Sequence, residues 1–100
     1  MEPVQRYEEL RDQLSAIRPS IEEEYGVQEI GLFGSYVRNE HTEESDLDVV
    51  VSFDEPVGLF DLVRLENELA ERLGIDVDLV TKNSLKPRVR ASVDEDVVYV

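Results

Sequence analysis

The sequence predicts a single α+β domain in which helices and strands alternate over residues 1–100. Two segments carry apolar residues at every third or fourth position, as on one face of a helix. Short runs rich in β-branched residues lie between and after these segments, as in strands. The chain has neither an internal repeat nor a linker-like tract, and its length suits one hydrophobic core. One folded unit is therefore expected.

The first predicted helix covers about residues 4–25 and is the longest element. Pro19 lies inside it, and because proline lacks a backbone N–H, a kink or a division into two helices is expected there. Gly26 is a suitable residue for the C-terminal end. The helix is predicted from its apolar stripe, which comprises Val4, Tyr7, Leu10, Leu14, Ile17, Ile21 and Tyr25.

The remaining elements follow from the same two periodicities. In chain order they are a strand over 27–33, one or two helical turns over 35–40, a strand over 46–53, a helix from 59 that ends at Gly74, a strand over 75–81, a short helix over 84–96 and a strand over 97–100. The segment "NEHTEES", residues 39–45, is expected to be a polar loop.

Charge and composition exclude several classes of function. Twenty-four acidic and ten basic residues give a net charge of −14, which argues against direct nucleic-acid binding, because such binding depends on many contacts from Lys and Arg to phosphates. No apolar run approaches the roughly 20 residues of a membrane span, and no signal peptide is recognisable. The sequence contains no cysteine, so a cytoplasmic protein without disulfides or membrane contact is expected.

Asp46 and Asp48 stand at the beginning of the predicted strand 46–53. Side chains alternate between the faces of a strand, so both carboxylates point the same way, about 7 Å apart at the backbone. Such a pair repels unless a cation lies between its members, and Mg²⁺ is a cation that prefers carboxylate ligands. The alternative interpretation is that Asp46 ends a turn and Asp48 is a solvated residue of an edge strand.

Further polar residues are placed to complete a site of this kind. Asp76 and Asp78 repeat the alternation on the next strand, so a third carboxylate can reach the same face, and three acids suit a two-metal site. Gly34 and Ser35 follow a predicted strand and precede a predicted helical turn, where free N–H groups can bind phosphate. Arg38 lies one turn further on and can reach the same pocket, or form a surface ion pair.

The segment "FGSYVRNEHTEESDLDVVV" resembles the signature of the minimal nucleotidyltransferases, small members of the DNA polymerase beta superfamily. That signature is Gly-Ser, a spacer, Asp-x-Asp and a third acid on a later strand. The matching positions are Gly34, Ser35, Asp46 and Asp48, with a spacer of ten residues. Asp78 matches the third acid better than Asp76, because the Leu-Val after it parallels the Val-Val after Asp48.

The resemblance implies a mixed β-sheet with helices packed on one side. It also implies transfer of a nucleoside monophosphate, AMP above all, from ATP or another nucleoside triphosphate to a protein hydroxyl. Mg²⁺ would be the cofactor, as two ions, with Mn²⁺ as a substitute. The implied catalytic and metal-binding residues are Asp46, Asp48 and Asp78, and the implied nucleotide-binding residues are Gly34, Ser35 and Arg38.

Minimal members of this family resemble antitoxins that act on a helical HEPN ribonuclease toxin. We therefore expect such a partner, in a hetero-oligomer, although a homo-oligomer is also open. A second hypothesis is a binding module of the same fold that neutralises a helical partner without catalysis. A third is a nucleotidyltransferase of small molecules, which usually carries an added helical domain.

Two other features are left open by the sequence. The only histidine, His41, lies in the polar loop and is expected to be solvated. Four of the ten basic residues fall within positions 82–90, directly after the strand that carries Asp78. This basic cluster, Lys82, Lys86, Arg88 and Arg90, is expected either to bind the triphosphate or an acidic partner, or to form a solvated turn.

Overall fold

The computed structural model describes residues 3–42 and 44–100, with side chains from Tyr7 onward. The elements in chain order are α1 (Pro3–Tyr25), β1 (Val27–Phe33), β2 (Leu47–Phe53), α2 (Leu59–Leu73), β3 (Val77–Thr81), a 3₁₀ turn (Lys82–Ser84), α3 (Pro87–Asp96) and β4 (Val98–Tyr99). Among the predicted members of the α1 stripe, the side chain of Val4 lies outside the described residues.

The strands form one mixed sheet in the order β3-β2-β1-β4. β1 pairs antiparallel with both β2 and β4, whereas β2 and β3 pair parallel through the α2 crossover. A parallel pair needs such a crossover because its strands run in the same direction. The mixed sheet confirms the predicted α+β class.

α1 is one undivided helix that continues through Pro19, so the expected division into two helices is wrong. The helix ends at Tyr25, and Gly26 follows with a positive φ of 71°. The N–H of Gly26 donates to the carbonyl of Glu22 over 2.9 Å. The hydroxyl of Tyr25 donates to the carboxylate of Glu68 over 3.0 Å, which connects the end of α1 to α2.

α2 ends as its sequence predicts. Gly74 adopts the left-handed conformation, with φ at 69°, and its N–H donates to the carbonyl of Ala70. Glycine suits this position because it has no Cβ to oppose a positive φ. The face that the helix buries carries three leucines one turn apart, Leu65, Leu69 and Leu73.

The core lies between α1 and α2 on one side and one face of the sheet on the other. Every second side chain of the central strands points into it, as a half-buried sheet requires. Full burial of each leucine contributes about 1.5–3 kcal/mol of hydrophobic free energy. The fully buried residues of the core are Leu10, Leu14, Ile21, Ile30, Leu32, Leu47, Val49, Val51, Leu65 and Leu69.

The second face of the sheet is partly covered by the C-terminal segment. Gly31 and Val50 are partners across β1 and β2, and both positions lie on the face of the sheet opposite the core. A Cβ on Gly31 would lie 2.7 Å from Cγ2 of Val97 and 3.0 Å from Cδ1 of Tyr99. The absence of a side chain at Gly31 therefore lets β4 approach β1 closely.

Several predicted boundaries shift by a few residues. β2 begins at Leu47 and β3 at Val77, so Asp46 and Asp76 precede their strands. The helix predicted over 84–96 begins at Pro87, because a proline fits the first turn of a helix but not its interior. Within the part of the chain that the structure describes, no helix is both long and apolar enough to span a membrane.

We predict that Gly31→Ala destabilises the fold by about 1–3 kcal/mol, because the new methyl group overpacks the contact with Val97. Urea unfolding of both proteins measures this difference. Gly58→Ala is the matched control, since no atom lies within 4 Å of its Cβ position and its φ of −79° is ordinary. An equal decrease in the free energy of unfolding of the two variants would show that the close approach at Gly31 does not contribute to stability.

Candidate active site

Asp48 and Asp78 lie side by side on the parallel strands β2 and β3. They are Cα partners in the register that also pairs Leu47 with Val77. Leu47 and Val77 are buried in the core, so the two aspartates share the opposite face. Neighbouring strands are about 4.8 Å apart, which places the two carboxylates within direct electrostatic range.

Asp46 and Asp76 lie just before these strands and are both exposed. The carbonyl of Asp76 accepts a hydrogen bond from the N–H of Leu47 over 2.9 Å, which extends the pairing of the two strands by one step. The carboxylates whose charges act on Asp48 are those of Asp78 and Asp46. Asp78, rather than Asp76, is therefore the aspartate of the third strand that stands beside Asp48.

The surroundings of Asp48 disfavour the ionised form of its carboxyl group. Burial raises its pKa above the ordinary value, and the negative charges of Asp78 and Asp46 raise it further. The positive charge of Arg38 acts in the opposite direction. Both causes of the rise disfavour the ionised form, and a bound cation would relieve them.

Gly34 brings the backbone into contact with the Asp48 carboxylate. It is buried, has a φ of 80°, and directly follows β1. A Cβ at this position would collide with Oδ2 of Asp48 and lie 3.0 Å from its Cγ. Glycine is thus required here for two reasons: the positive φ disfavours a side chain, and a Cβ would collide with the Asp48 carboxylate. Gly34 and Asp48, which the sequence places 14 residues apart, meet in one site.

The residues after Gly34 form one hydrogen-bonded turn, which is shorter than the two turns allowed by the sequence prediction. The N–H of Arg38 donates to the carbonyl of Gly34 over 3.1 Å. The N–H of Glu40 then donates to the carbonyl of Ser35, and the N–H of Asn39 to that of Tyr36.

This second pair of hydrogen bonds is a Schellman closure, and it ends the turn at once. Asn39 supplies the left-handed residue that the closure needs, with a φ of 60°. The predicted phosphate cradle is therefore a single turn after Gly34 and not the beginning of a regular helix.

Arg38 connects the turn to the other end of the chain. Its Nε lies 2.8 Å from Oε1 of Glu40, and its Nη1 lies 2.6 Å from Oδ2 of Asp96 at the end of α3. The charge of Arg38 also acts on Asp48, whose pKa it lowers against the effects of burial and of the other aspartates. The expectation that Arg38 forms a surface ion pair is confirmed, and its partners are now known.

His41 is not the solvated residue that the sequence predicts. Its ring stacks on Tyr36, with 4.0 Å between the centroids and 11° between the planes. Tyr36 is itself buried in the core, at 3% exposure. The stack joins the turn after Gly34 to the loop before Asp46. A single histidine in a polar segment gives no sign of such a contact, which depends on how the loop folds back.

Glu66 is a further residue that sequence reasoning missed. Its Oε2 accepts a hydrogen bond from the N–H of Leu79 over 2.9 Å. Leu79 is the residue after Asp78, so this contact holds the strand that carries the third carboxylate against α2. In the sequence Glu66 looks like one more acid on the polar face of a helix.

The basic cluster does not act as one unit. Nζ of Lys82 lies 2.8 Å from the hydroxyl of Tyr99 and 3.4 Å from Oε1 of Glu29. These contacts hold Lys82 across the second face of the sheet and raise its pKa, with the hydrogen bond to Tyr99 as the main cause. The remaining three residues, Lys86, Arg88 and Arg90, are exposed in or next to α3.

The described residues offer a cation two close carboxylates and do not form a closed metal site. Within the ranges 3–42 and 44–100, no group of three or more His, Cys, Asp and Glu side chains is arranged to hold a metal ion. Mg²⁺ needs less than this, because it commonly binds one or two carboxylates and takes its other ligands from water and substrate phosphates. Asp48 and Asp78 suit that mode of binding.

A family model described as "Nucleotidyltransferase domain" matches residues 14–100. The chain belongs to the nucleotidyltransferase family. This membership confirms the resemblance seen in the Gly-Ser and Asp-x-Asp spacing. The protein is accordingly an enzyme that transfers a nucleotidyl group.

Curated relatives are similar over nearly their whole length. The nucleotidyltransferase is 46% identical over 93 residues to protein adenylyltransferase MntA of Thermococcus cleftensis, with 93% of this chain and 94% of the relative covered. It is 44% identical over 93 residues to a Methanocaldococcus jannaschii protein with the provisional name of protein adenylyltransferase, with 92% and 95% covered.

Solved structures share the fold. One that is provisionally described as a minimal nucleotidyltransferase has a TM-score of 0.78 and 37% identity, and the match covers 92% of this chain and 93% of that one. A crystal structure of a toxin-antitoxin with AMP-PNP has a TM-score of 0.69 and 26% identity, with 93% and 70% covered.

We predict that Gly34→Ala weakens nucleotide binding more than Ser35→Ala does. The alanine methyl group at position 34 collides with the Asp48 carboxylate, whereas Ser35→Ala removes at most one neutral hydrogen bond, worth about 0.5–1.5 kcal/mol. Isothermal titration with ATP and Mg²⁺ measures both affinities. Two variants with the affinity of the parent would remove this turn from the site.

We also predict that Asp48→Asn stabilises the apo protein at pH 7. The pKa of Asp48 is raised in the folded state, so its ionised form opposes folding. This destabilisation of the folded state is absent below the unfolded-state pKa. It grows as the pH rises and is complete above the folded-state pKa. The variant should therefore gain more at pH 7 than at pH 3 in urea unfolding.

Asp94→Asn is the control for this measurement, because it removes the same charge from an exposed position on α3. An equal gain from both substitutions would assign the effect to net charge rather than to the carboxylate cluster.

Proposed function

We propose that this nucleotidyltransferase transfers AMP from ATP to a hydroxyl group of a protein partner, and that it is the antitoxin of a helical HEPN ribonuclease toxin. The observation that carries the proposal is the in-register pair Asp48 and Asp78 beside the turn after Gly34. It combines a place for a cation with a place where the backbone can approach a phosphate closely.

In the proposed reaction, the hydroxyl oxygen of the acceptor forms a bond to the α-phosphorus of ATP. The bond from that phosphorus to the bridging oxygen breaks, pyrophosphate leaves, and the hydroxyl group loses its proton. Such a reaction asks the protein chiefly for positioning and for neutralisation of charge. No covalent nucleophile from the chain is required.

The chain's own residues divide these tasks. The backbone at Gly34 and Ser35 orients the phosphates, because a side chain is absent where the substrate must come close. Asp48 and Asp78 would hold Mg²⁺, with Asp46 as the third acid. When bound, Mg²⁺ or its substitute Mn²⁺ supplies neutralisation of the phosphate charge. Arg38 adds a positive charge near the same carboxylates.

The protein acceptor and the toxin partner are supported by the relatives. MntA of Thermococcus cleftensis is named a protein adenylyltransferase, and a structural neighbour with 26% identity is a toxin-antitoxin with AMP-PNP.

A second candidate is a binding module that neutralises its partner without catalysis. It is favoured by one observation: three metal-binding side chains are not gathered in the described residues. The two candidates agree on the partner and differ only in whether the carboxylates take part in chemistry. The experiment that follows separates them.

We predict that Mg²⁺ raises the thermal unfolding temperature, and that Mg²⁺ with ATP raises it further. A ligand that binds only the folded state at 100 times its Kd stabilises it by about 2.7 kcal/mol. In a domain of 60–100 residues, each kcal/mol corresponds to about 4–8 °C. Asp48→Asn should lose both responses and the transfer of radiolabelled AMP to a HEPN partner.

Asp94→Asn again serves as the control and should respond as the parent does. A parent protein without any thermal response over a wide range of Mg²⁺ and ATP concentrations would contradict catalysis. The binding-module candidate would then remain.

A further inference from the structure

The two most exposed large apolar side chains of the described chain, Leu59 and Phe60, lie at the beginning of α2 together with Val63. Leu59 is 72% exposed, Phe60 87% and Val63 45%. They occupy positions i, i+1 and i+4 and therefore project from one side of the first helical turns. We call these three residues the α2 patch. It is separate from the buried side of α2, where Leu65 and Leu69 enter the core.

The α2 patch is distinct from the candidate active site. α2 follows β2 after a short connection, so the patch lies near the end of β2 that carries Phe53. Asp48 lies five residues earlier on that strand, which corresponds to about 17 Å. A protein that binds the α2 patch can therefore leave the carboxylates accessible to one of its own extended segments.

The charge around the α2 patch restricts its occupant. The segment that leads into α2 carries the exposed acids Asp54 and Glu55, and Asp61 stands in the first turn of the helix, followed by one exposed base, Arg64. The whole chain has a net charge of −14. A second copy would bring equal negative charge to this rim, and like charges oppose each other across an interface. A basic partner would instead be attracted electrostatically to this rim.

The shape of the α2 patch points to a helical surface. Three apolar side chains on a convex helix form a short ridge, and such ridges fit grooves between the side chains of other helices. Phe60 is the most exposed of the three, at 87%, and a single exposed aromatic ring that enters a pocket commonly dominates the energy of an interface. The excess of acids on the rim of the α2 patch favours Lys or Arg beside that pocket.

We propose that the α2 patch is the docking surface for the protein partner, and that this partner is a helical protein with an apolar groove flanked by Lys and Arg. The inference rests on the proposed function in one respect, namely that the enzyme acts on a protein. It adds where that protein binds, through which residues, and with what charge.

The test places a photo-crosslinking amino acid at position 60 or at position 89 of the full chain in cells of the source organism. Val89 is the matched control, because it is an apolar residue of α3 with 47% exposure. The expected result is a crosslink from position 60, and not from position 89, to a helical protein with basic residues at the crosslinked site, as identified by mass spectrometry.

The purified partner then serves as the probe in binding measurements. Phe60→Asp should weaken its affinity at least about 30-fold, which corresponds to the loss of one dominant interface residue, whereas Val89→Asp should keep the affinity of the parent. Urea unfolding of Phe60→Asp checks that the exposed substitution leaves the fold intact. The affinity should also fall as KCl is raised, because opposite charges are screened.

Four outcomes would overturn the proposal. They are a crosslink from position 60 to a second copy of the chain, no crosslink, equal crosslinking from positions 60 and 89, and binding that Phe60→Asp leaves unchanged. Failure of the proposed catalysis gives a different result. In that case Asp48→Asn and the parent both crosslink from position 60, and neither transfers AMP.

Discussion

The parallel register between β2 and β3 is the constraint on which the active site depends. Burial of Leu47 and Val77 fixes which face of each strand meets the core, and the same register then places Asp48 beside Asp78 on the other face. A slip by one residue would turn the apolar set outward. Hydrophobic burial thus holds together two carboxylates that repel each other, and burial of Asp48, together with this repulsion, raises its pKa.

Elements whose ends depend on local chemistry could be predicted from the sequence. The period of the apolar stripe and a glycine stop located α2, and the β-branched runs located the strands. The spacing of Gly34, Ser35 and Asp48 was sufficient to indicate the family, because it records a backbone contact that tolerates no side chain.

The contacts that connect distant segments could not be predicted, because no local period encodes them. The ion pair of Arg38 with Asp96 joins residues that are 58 positions apart, and the hydrogen bond from Leu79 to Glu66 depends on how α2 lies across the sheet. Whether one or two helical turns follow Gly34 could not be decided from the sequence for a related reason. Asn39 is an ordinary polar residue in sequence, and its left-handed conformation appears only in the fold.

The position of β3 at the edge of the sheet has a consequence for association of the chain with itself. An edge strand offers unpaired backbone groups to which a strand of another molecule can add. Here the carboxylate of Glu66 already accepts the N–H of Leu79, and the exposed Asp78 places a negative charge beside it. An incoming strand would meet an occupied donor and a negative charge. Glu66 and Asp78 therefore also protect this edge from the addition of another strand.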